Sequence, residues 1–243
     1  MGVYEINVPD VYSIMQANAL YAYCGNNPIS FIDLTGKWQE GDENLPDWAQ
    51  DAIIEYTYNY NMSRSDEGRE YFHQKAEMVR DFVENNYVSR EEWNADDEKN
   101  DQWVEDPDKD VIVIHHTANN DTVQEIEQEH IEKFDGIGYH FVIGKDGTVY
   151  EGRTFDKKGS HVANANTGKI GIALIGDYYD GKWWEVWEWG SDDLPDSQKE
   201  SLYVLVEILK DGQEIYEIGG HRDYKNGTVC PGNKLYDVVE DLK

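Results

Sequence analysis

Hydrophobic and polar positions follow different rules in different parts of the chain. Between residues 42 and 86, LPDWAQDAIIEYTYNY and EGREYFHQKAEMVRDFVENNY place apolar residues at three- and four-residue intervals, which predicts amphipathic helices. From residue 111 short apolar runs take over. VIVIHHT (111–117) and KIGIALIGDY (169–178) predict buried strands, and GIGYHFVIGKDGTVYEGR (136–153) predicts a hairpin about Lys145-Asp146-Gly147. Asp121 or Thr122 caps a predicted helix to about Phe134, with Ile126, His130 and Phe134 along one face. SQKESLYVLVEILKDG (197–212) predicts another amphipathic helix. EIGGHRDY (217–224) reads as a strand end entering a loop, and KLYDVVEDL (234–242) as a short helix. DGKWWEVWEW (180–189) reads as a ribbon. Strands alternating with helices predict an α/β fold, a mixed central β-sheet flanked by helices, with an N-terminal helical extension.

Two stretches obey no such period. Residues 1–41 are turn-rich, with CGNNP and DLTGKW. Residues 87–110 hold ten acids against three bases and read as a solvated, extended lead-in. The expected partition is therefore 1–41, 42–86 and 87–243.

Composition narrows the class. The chain is 39% hydrophobic and 13% aromatic, with 8 Trp and 17 Tyr, which suits a packed core built on large rings. No apolar run reaches the roughly 18 residues of a membrane span, and MGVYEINVPDVYS carries no secretory signal pattern. A formal net charge of −29 excludes bulk attraction to nucleic acid or anionic lipid. Anionic cell-wall polymers would have to be held by specific contacts. Two cysteines, Cys24 and Cys230, do not make a disulfide framework, and no bridge between them is expected.

The candidate chemistry lies at strand ends. His115 closes the first strand, His221 follows Gly219-Gly220, and Cys230 lies beyond a loop containing Asn226-Gly227. Two imidazoles and a thiolate suit zinc and leave a fourth position for water. Spacing alone leaves a second reading open, in which His221 is a polar loop residue and Cys230 an inert buried thiol. His116, adjacent to His115 on a strand, should face the opposite side, and His140 likewise relative to Tyr139. Both read as residues that hydrogen-bond behind the site or within the core. His73 and His130 read as structural.

Six blocks in order carry a resemblance: VSREEWNA (88–95), VIVIHHTAN (111–119), GIGYHFVIGKDGTVYEGR (136–153), GSHVANANTGKIGIALIGDY (159–178), LPDSQKESL (194–202) and GGHRDYKNGTVCPG (219–232). Together they resemble the zinc-dependent type-2 N-acetylmuramoyl-L-alanine amidases, the class of peptidoglycan recognition proteins and phage amidase-type lysozymes. The resemblance implies Zn2+ held by His115, His221 and Cys230. It implies Tyr139 as an oxyanion-binding hydroxyl, Thr228 beside the scissile carbonyl and His161 on the substrate groove. Thr154 and Phe155 occupy the positions that help discriminate stem peptides. The implied reaction is hydrolysis of the amide between N-acetylmuramic acid and L-alanine in peptidoglycan. The binding-only alternative in this class typically lacks the cysteine. The loop from His221 to Cys230 is one residue longer than the usual spacing, and the Trp183–Trp189 segment is more aromatic. That segment is either a packing ribbon or a sugar-stacking platform.

NALYAYCGNNPISFIDLTGKW (18–38) resembles the end of an Rhs/YD-repeat associated core, with Leu34 where proline is usual. It implies an effector module of a larger Rhs-type toxin, delivered to the cell wall or periplasm by the parent chain and countered by an immunity protein. An autolysin or wall-recycling role remains an alternative.

Overall fold

The computed structural model of the protein describes Gln39 and residues 41–96, 100–180 and 192–243. The Rhs-like stretch and Cys24 lie outside these residues, as does the Trp183–Trp189 segment. In chain order the elements are α1 (Asp47–Met62), α2 (Asp66–Asn86), β1 (Tyr87–Val88), β2 (Val111–His116), α3 (Val123–Phe134), β3 (Phe141–Ile143), β4 (Val149–Glu151), β5 (Lys169–Leu174), α4 (Asp196–Gly212), β6 (Glu217–Gly220), α5 (His221–Tyr224) and α6 (Asn233–Leu242). Among the described residues no helix is long and apolar enough to cross a membrane.

The strands form one mixed sheet in the order β1-β4-β3-β5-β2-β6. Only β3 and β4, the two arms of the expected hairpin, run antiparallel. β2 is an interior strand, with β5 and β6 parallel on either side. A strand alternates its side chains, so Ile112, Ile114 and His116 face one side while Val113 and His115 face the other.

The Ile112 side is covered by helices. Ile112, Ile114, Phe141, Ile143, Ile170, Ile172 and Leu174 form one cluster with Trp48, Ile53, Val79, Leu202, Leu205 and Leu209. The spacing of Leu202, Leu205, Val206 and Leu209 turns one face of α4 to the sheet. Helices α1 and α2 pack onto α4 and enter the same core. Gly212 permits part of that approach, since a Cβ there would meet the Ala52 backbone nitrogen at 2.8 Å. Lys75 of α2 reaches Asp211 at 2.8 Å and Glu207, while the Tyr56 hydroxyl donates to Asp211 at 2.6 Å. Asp42, ahead of α1, accepts two bonds of 2.7 Å from the Arg80 guanidinium. The other side of the sheet carries a smaller cluster in which Val142 and Ile175 meet Trp93, Val123, Ile126 and Ile137. Helix α3 begins there with Thr122 and Glu125 in a capping box.

Residues 87–110 differ from the expected solvated lead-in. Trp93, Trp103, Arg90, Asp106 and Lys109 are all buried. Trp93 Nε1 donates to the Glu151 carbonyl at 2.8 Å, and Trp103 Nε1 to the Asp135 carbonyl at 2.6 Å. Lys109 donates to the carbonyls of Asp106 and Lys157. The acids outnumber the anchors, so the average composition hides them.

Candidate functional site

Strand register brings the three candidate ligands together. β6 pairs with β2 as far as Ile114↔Gly220, so the next residues, His115 and His221, leave that pairing side by side. Their ring centroids are 4.6 Å apart. His221 opens the single turn α5, a helix where the sequence suggested a loop. The returning loop is tied to that turn. Arg222 N–H donates to the Cys230 carbonyl at 3.0 Å, and its guanidinium donates to the Val229 carbonyl at 2.5 Å and to Asn233 at 3.1 Å. Cys230 Sγ thereby sits 3.7 Å from His115 Nδ1, and one donor atom from each of His115, His221 and Cys230 lies within 4.8 Å of the others.

Burial, with His161, His221 and His116 nearby, holds His115 well below the ordinary histidine range. Burial and the Lys225 charge lower His221 as well. Both rings are therefore neutral at pH 7 and offer lone pairs. Burial pushes the Cys230 thiol up to about 12, against the opposing pull of a hydrogen bond from the His116 backbone and of the Arg222 charge. Cys230 is a free thiol. Two neutral imidazoles and a thiol that ionises on metal binding are a donor set for zinc. His221 Nε2 is buried without a hydrogen-bond partner, as expected of a ring placed by something other than protein hydrogen bonds. The residues present fit the metal.

Tyr139 stands beside this group, its ring centroid 5.2 Å from that of His115. Burial, then Cys230 and Glu129, raise its phenol above the ordinary range, so it is a hydroxyl donor at neutral pH. The turn before it is anchored twice. Gly138 N–H donates to His130 Nδ1 at 3.2 Å, and the buried Arg153 guanidinium donates to the carbonyls of Ile137, Lys158 and Phe134 at 3.1, 2.9 and 2.7 Å. Burial lowers Arg153 to about 10, so it remains charged at neutral pH.

A cavity of about 420 Å3 opens next to the group, lined by Phe134, His161, Asn166, His221, Lys225 and Thr228 among others. Thr228 Oγ1 accepts from Cys230 N–H at 3.1 Å, which leaves its proton to donate elsewhere. His161 is on this wall and also hydrogen-bonds His115, Nδ1 to Nε2, at 3.0 Å. Lys225 is the one charged side chain on the lining, and it has no ion pair among the described residues. Sequence reasoning passed over Lys225, for which the signal was its place between two candidate ligands. It also read His130 as merely structural and Arg153 only as part of a block.

The other expected site residues divide. His116 faces the helix-covered side, where its Nδ1 accepts from Tyr178 N–H at 3.1 Å, 3.6 Å from the Asp177 carboxylate. Its carbonyl receives the Cys230 thiol at 3.8 Å. His140 is fully used, with Nδ1 accepting from Gly171 N–H and Nε2 paired with the Lys157 carbonyl, each at 2.9 Å. Thr154 and Phe155 are not brought to the metal group. They line a separate, strongly acidic cleft with Trp48, Asp108 and Asp211, and Phe155 packs against Phe141 in the helix-side core.

Comparison with known proteins gives one consistent answer. Residues 105–233 match the N-acetylmuramoyl-L-alanine amidase family. Peptidoglycan-recognition protein 1 of Holotrichia diomphalia is 33% identical over 141 residues, 54% of this chain and 67% of that protein. Peptidoglycan recognition protein 1 of Rattus norvegicus is 31% identical over 172 residues, 63% of this chain and 85% of that one. Among solved structures, the endolysin N-acetylmuramoyl-L-alanine amidase LysCS from Clostridium intestinale is 30% identical with a TM-score of 0.52, covering 65% of this chain and 95% of that one. The ectodomain complex of peptidoglycan recognition proteins LCa and LCx bound to tracheal cytotoxin is 26% identical with a TM-score of 0.55, covering 64% and 95%.

Proposed function

The chain belongs to the N-acetylmuramoyl-L-alanine amidase family, and from that membership we propose that it is an active, zinc-dependent peptidoglycan amidase. The observation that carries the catalytic reading is the convergence of His115, His221 and Cys230 with the Tyr139 hydroxyl beside them. The bond cleaved is the amide between the lactyl group of N-acetylmuramic acid and L-alanine. Hydrolysis leaves a carboxylate on the sugar and a free amine on the stem peptide.

His115, His221 and Cys230 would hold the metal, which when bound supplies Lewis-acid polarisation of the carbonyl and lowers the pKa of water. Tyr139 donates its hydroxyl proton to the oxygen on which charge develops. Its raised pKa keeps that proton in place through neutral pH. Thr228 adds one neutral hydrogen bond near the same carbonyl. The stem peptide lies along the His161–Thr228 cavity, where the Lys225 ammonium attracts a peptide carboxylate. Thr154 and Phe155 contribute to stem-peptide preference only if substrate extends to the cleft they line.

The resemblance of residues 18–38 supports delivery of this domain as the effector of a larger Rhs-type protein, opposed by an immunity protein. The test of the enzyme is digestion of purified sacculi by zinc-loaded protein. New N-terminal alanine is expected, and its absence across a range of pH refutes catalysis in favour of binding alone. Cys230→Ser is expected to lower zinc content and activity together; full activity in that variant refutes the ligand assignment.

A further inference from the structure

His161 contacts His115 on the side away from Cys230. The two rings meet edge to face, centroids 5.0 Å apart and planes at 90°, with His115 Nε2 3.0 Å from His161 Nδ1. Both residues are buried, His115 at 1% exposure and His161 at 8%. The His161 ring lies in a slot cut for it by two glycines. A Cβ on Gly171 would stand 2.6 Å from the ring's Cγ and Cδ2, and one on Gly159 would stand 2.8 Å from Nε2. Neither glycine has the left-handed backbone that would require glycine for other reasons. The local sequence has thus given up two side chains to admit this imidazole.

Direction follows from the chemistry at the other end of each ring. His115 Nδ1 faces the Cys230 thiol at 3.7 Å, and only an unprotonated Nδ1 can bind a metal. His115 must then carry its proton on Nε2 and donate it to His161 Nδ1. His161 in turn carries its proton on Nε2. That atom is buried and outside hydrogen-bonding geometry.

We propose that His161 is a positioning residue for the metal centre, its Nδ1 locking His115 in the one tautomer and ring orientation that present Nδ1 to the metal. It acts through His115 and need not touch substrate, although it stands on the cavity wall. The proposal rests on the reading of His115 as a ligand, and not on peptidoglycan cleavage.

Three measurements test it. In zinc-free wild-type protein, long-range 15N–1H correlations of the imidazoles are expected to show the His115 proton on Nε2. His161→Leu, which removes the acceptor, is expected to weaken zinc binding by about 10–100-fold in a chelator competition. His161→Asn, whose amide oxygen reaches the place of Nδ1, is expected to restore most of that affinity. A His115 proton on Nδ1 overturns the proposal. So does wild-type zinc affinity in the Leu variant, or equal loss in both variants. The tautomer measurement needs no variant, so a Leu variant that fails to fold does not shield the proposal. None of the readouts uses peptidoglycan, so an inactive protein that passes them refutes the amidase reading and leaves this one standing.

Discussion

Trp48 tests whether the N-terminal helices are part of the amidase body or a detachable extension. It is 2% exposed, and its ring meets Phe141 of β3 edge-on at 5.4 Å and Tyr87 of β1 at 5.5 Å. Trp48→Ala removes this plug between α1 and the sheet. Truncating a buried Trp costs about 3–5 kcal/mol, and the two edge-on ring pairs are part of that loss. Trp48 also forms part of the wall of the acidic cleft, so water can enter the space left behind, which favours the lower half of the range. A loss of about 3 kcal/mol corresponds to roughly 6–12 °C in Tm for a chain of this size. The assay is urea denaturation followed by far-UV circular dichroism, with zinc content measured below the transition. One cooperative transition at lower urea is expected, with zinc content unchanged because Trp48 is on the face opposite His115. A loss below about 0.5 kcal/mol, the scale of ordinary surface substitutions, refutes the shared core. So does an early transition that leaves the sheet folded.

Two further outcomes follow from the structure. Tyr139→Phe is expected to lower kcat by about 10²–10³-fold with zinc content unchanged, the usual cost of one oxyanion donor; a kcat within a few-fold of wild type removes Tyr139 from the chemistry. Lys75→Met is expected to cost about 1–2 kcal/mol, since the ammonium is buried but its carboxylate partners are 37% and 49% exposed. Burial lowers the Lys75 pKa, but the bonds and charges of Asp211 and Glu207 outweigh it and the net shift is upward. A raised folded pKa gives stability that is complete below the unfolded value and lost as pH rises through the folded one. The wild-type advantage over Lys75→Met, measured by urea midpoints, should therefore hold from pH 7 to 9 and shrink above the ordinary lysine pKa of 10.5; an advantage that grows in alkali refutes the ion-pair account.

Local rules made much of this protein legible. Period-2 alternation alone sent His115 and His116 to opposite faces, and the structure places them there because β2 is regular throughout its paired length. The Thr122 cap, the Lys145–Gly147 turn and the helices of residues 42–86 also follow from neighbouring residues. Where the reading failed, the deciding contacts were distant in sequence. Trp93 and Trp103 are anchored by carbonyls of Glu151 and Asp135, so no window within 87–110 could reveal their burial. The pairing of His161 with His115 spans 46 positions, and its only local trace is Gly159, two residues earlier. Thr154 and Phe155 were placed by analogy with a groove, but the chain after β4 carries Phe155 onto the helix side of the sheet, where an aromatic ring gains more by burial.

The pairing of β2 with β6 also governs when the centre comes into being. His115 precedes most of the domain in the chain and Cys230 follows nearly all of it, so the site forms only after a strand pairing with long loop closure. Among the described residues β6 is an edge strand with four residues, held within the sheet by β2 alone. A chain still emerging during synthesis, or threaded unfolded through a narrow passage, therefore carries all three candidate ligands and no assembled site. The site is timed by its own topology: His115 and His221 stand side by side only once β6 has docked on β2.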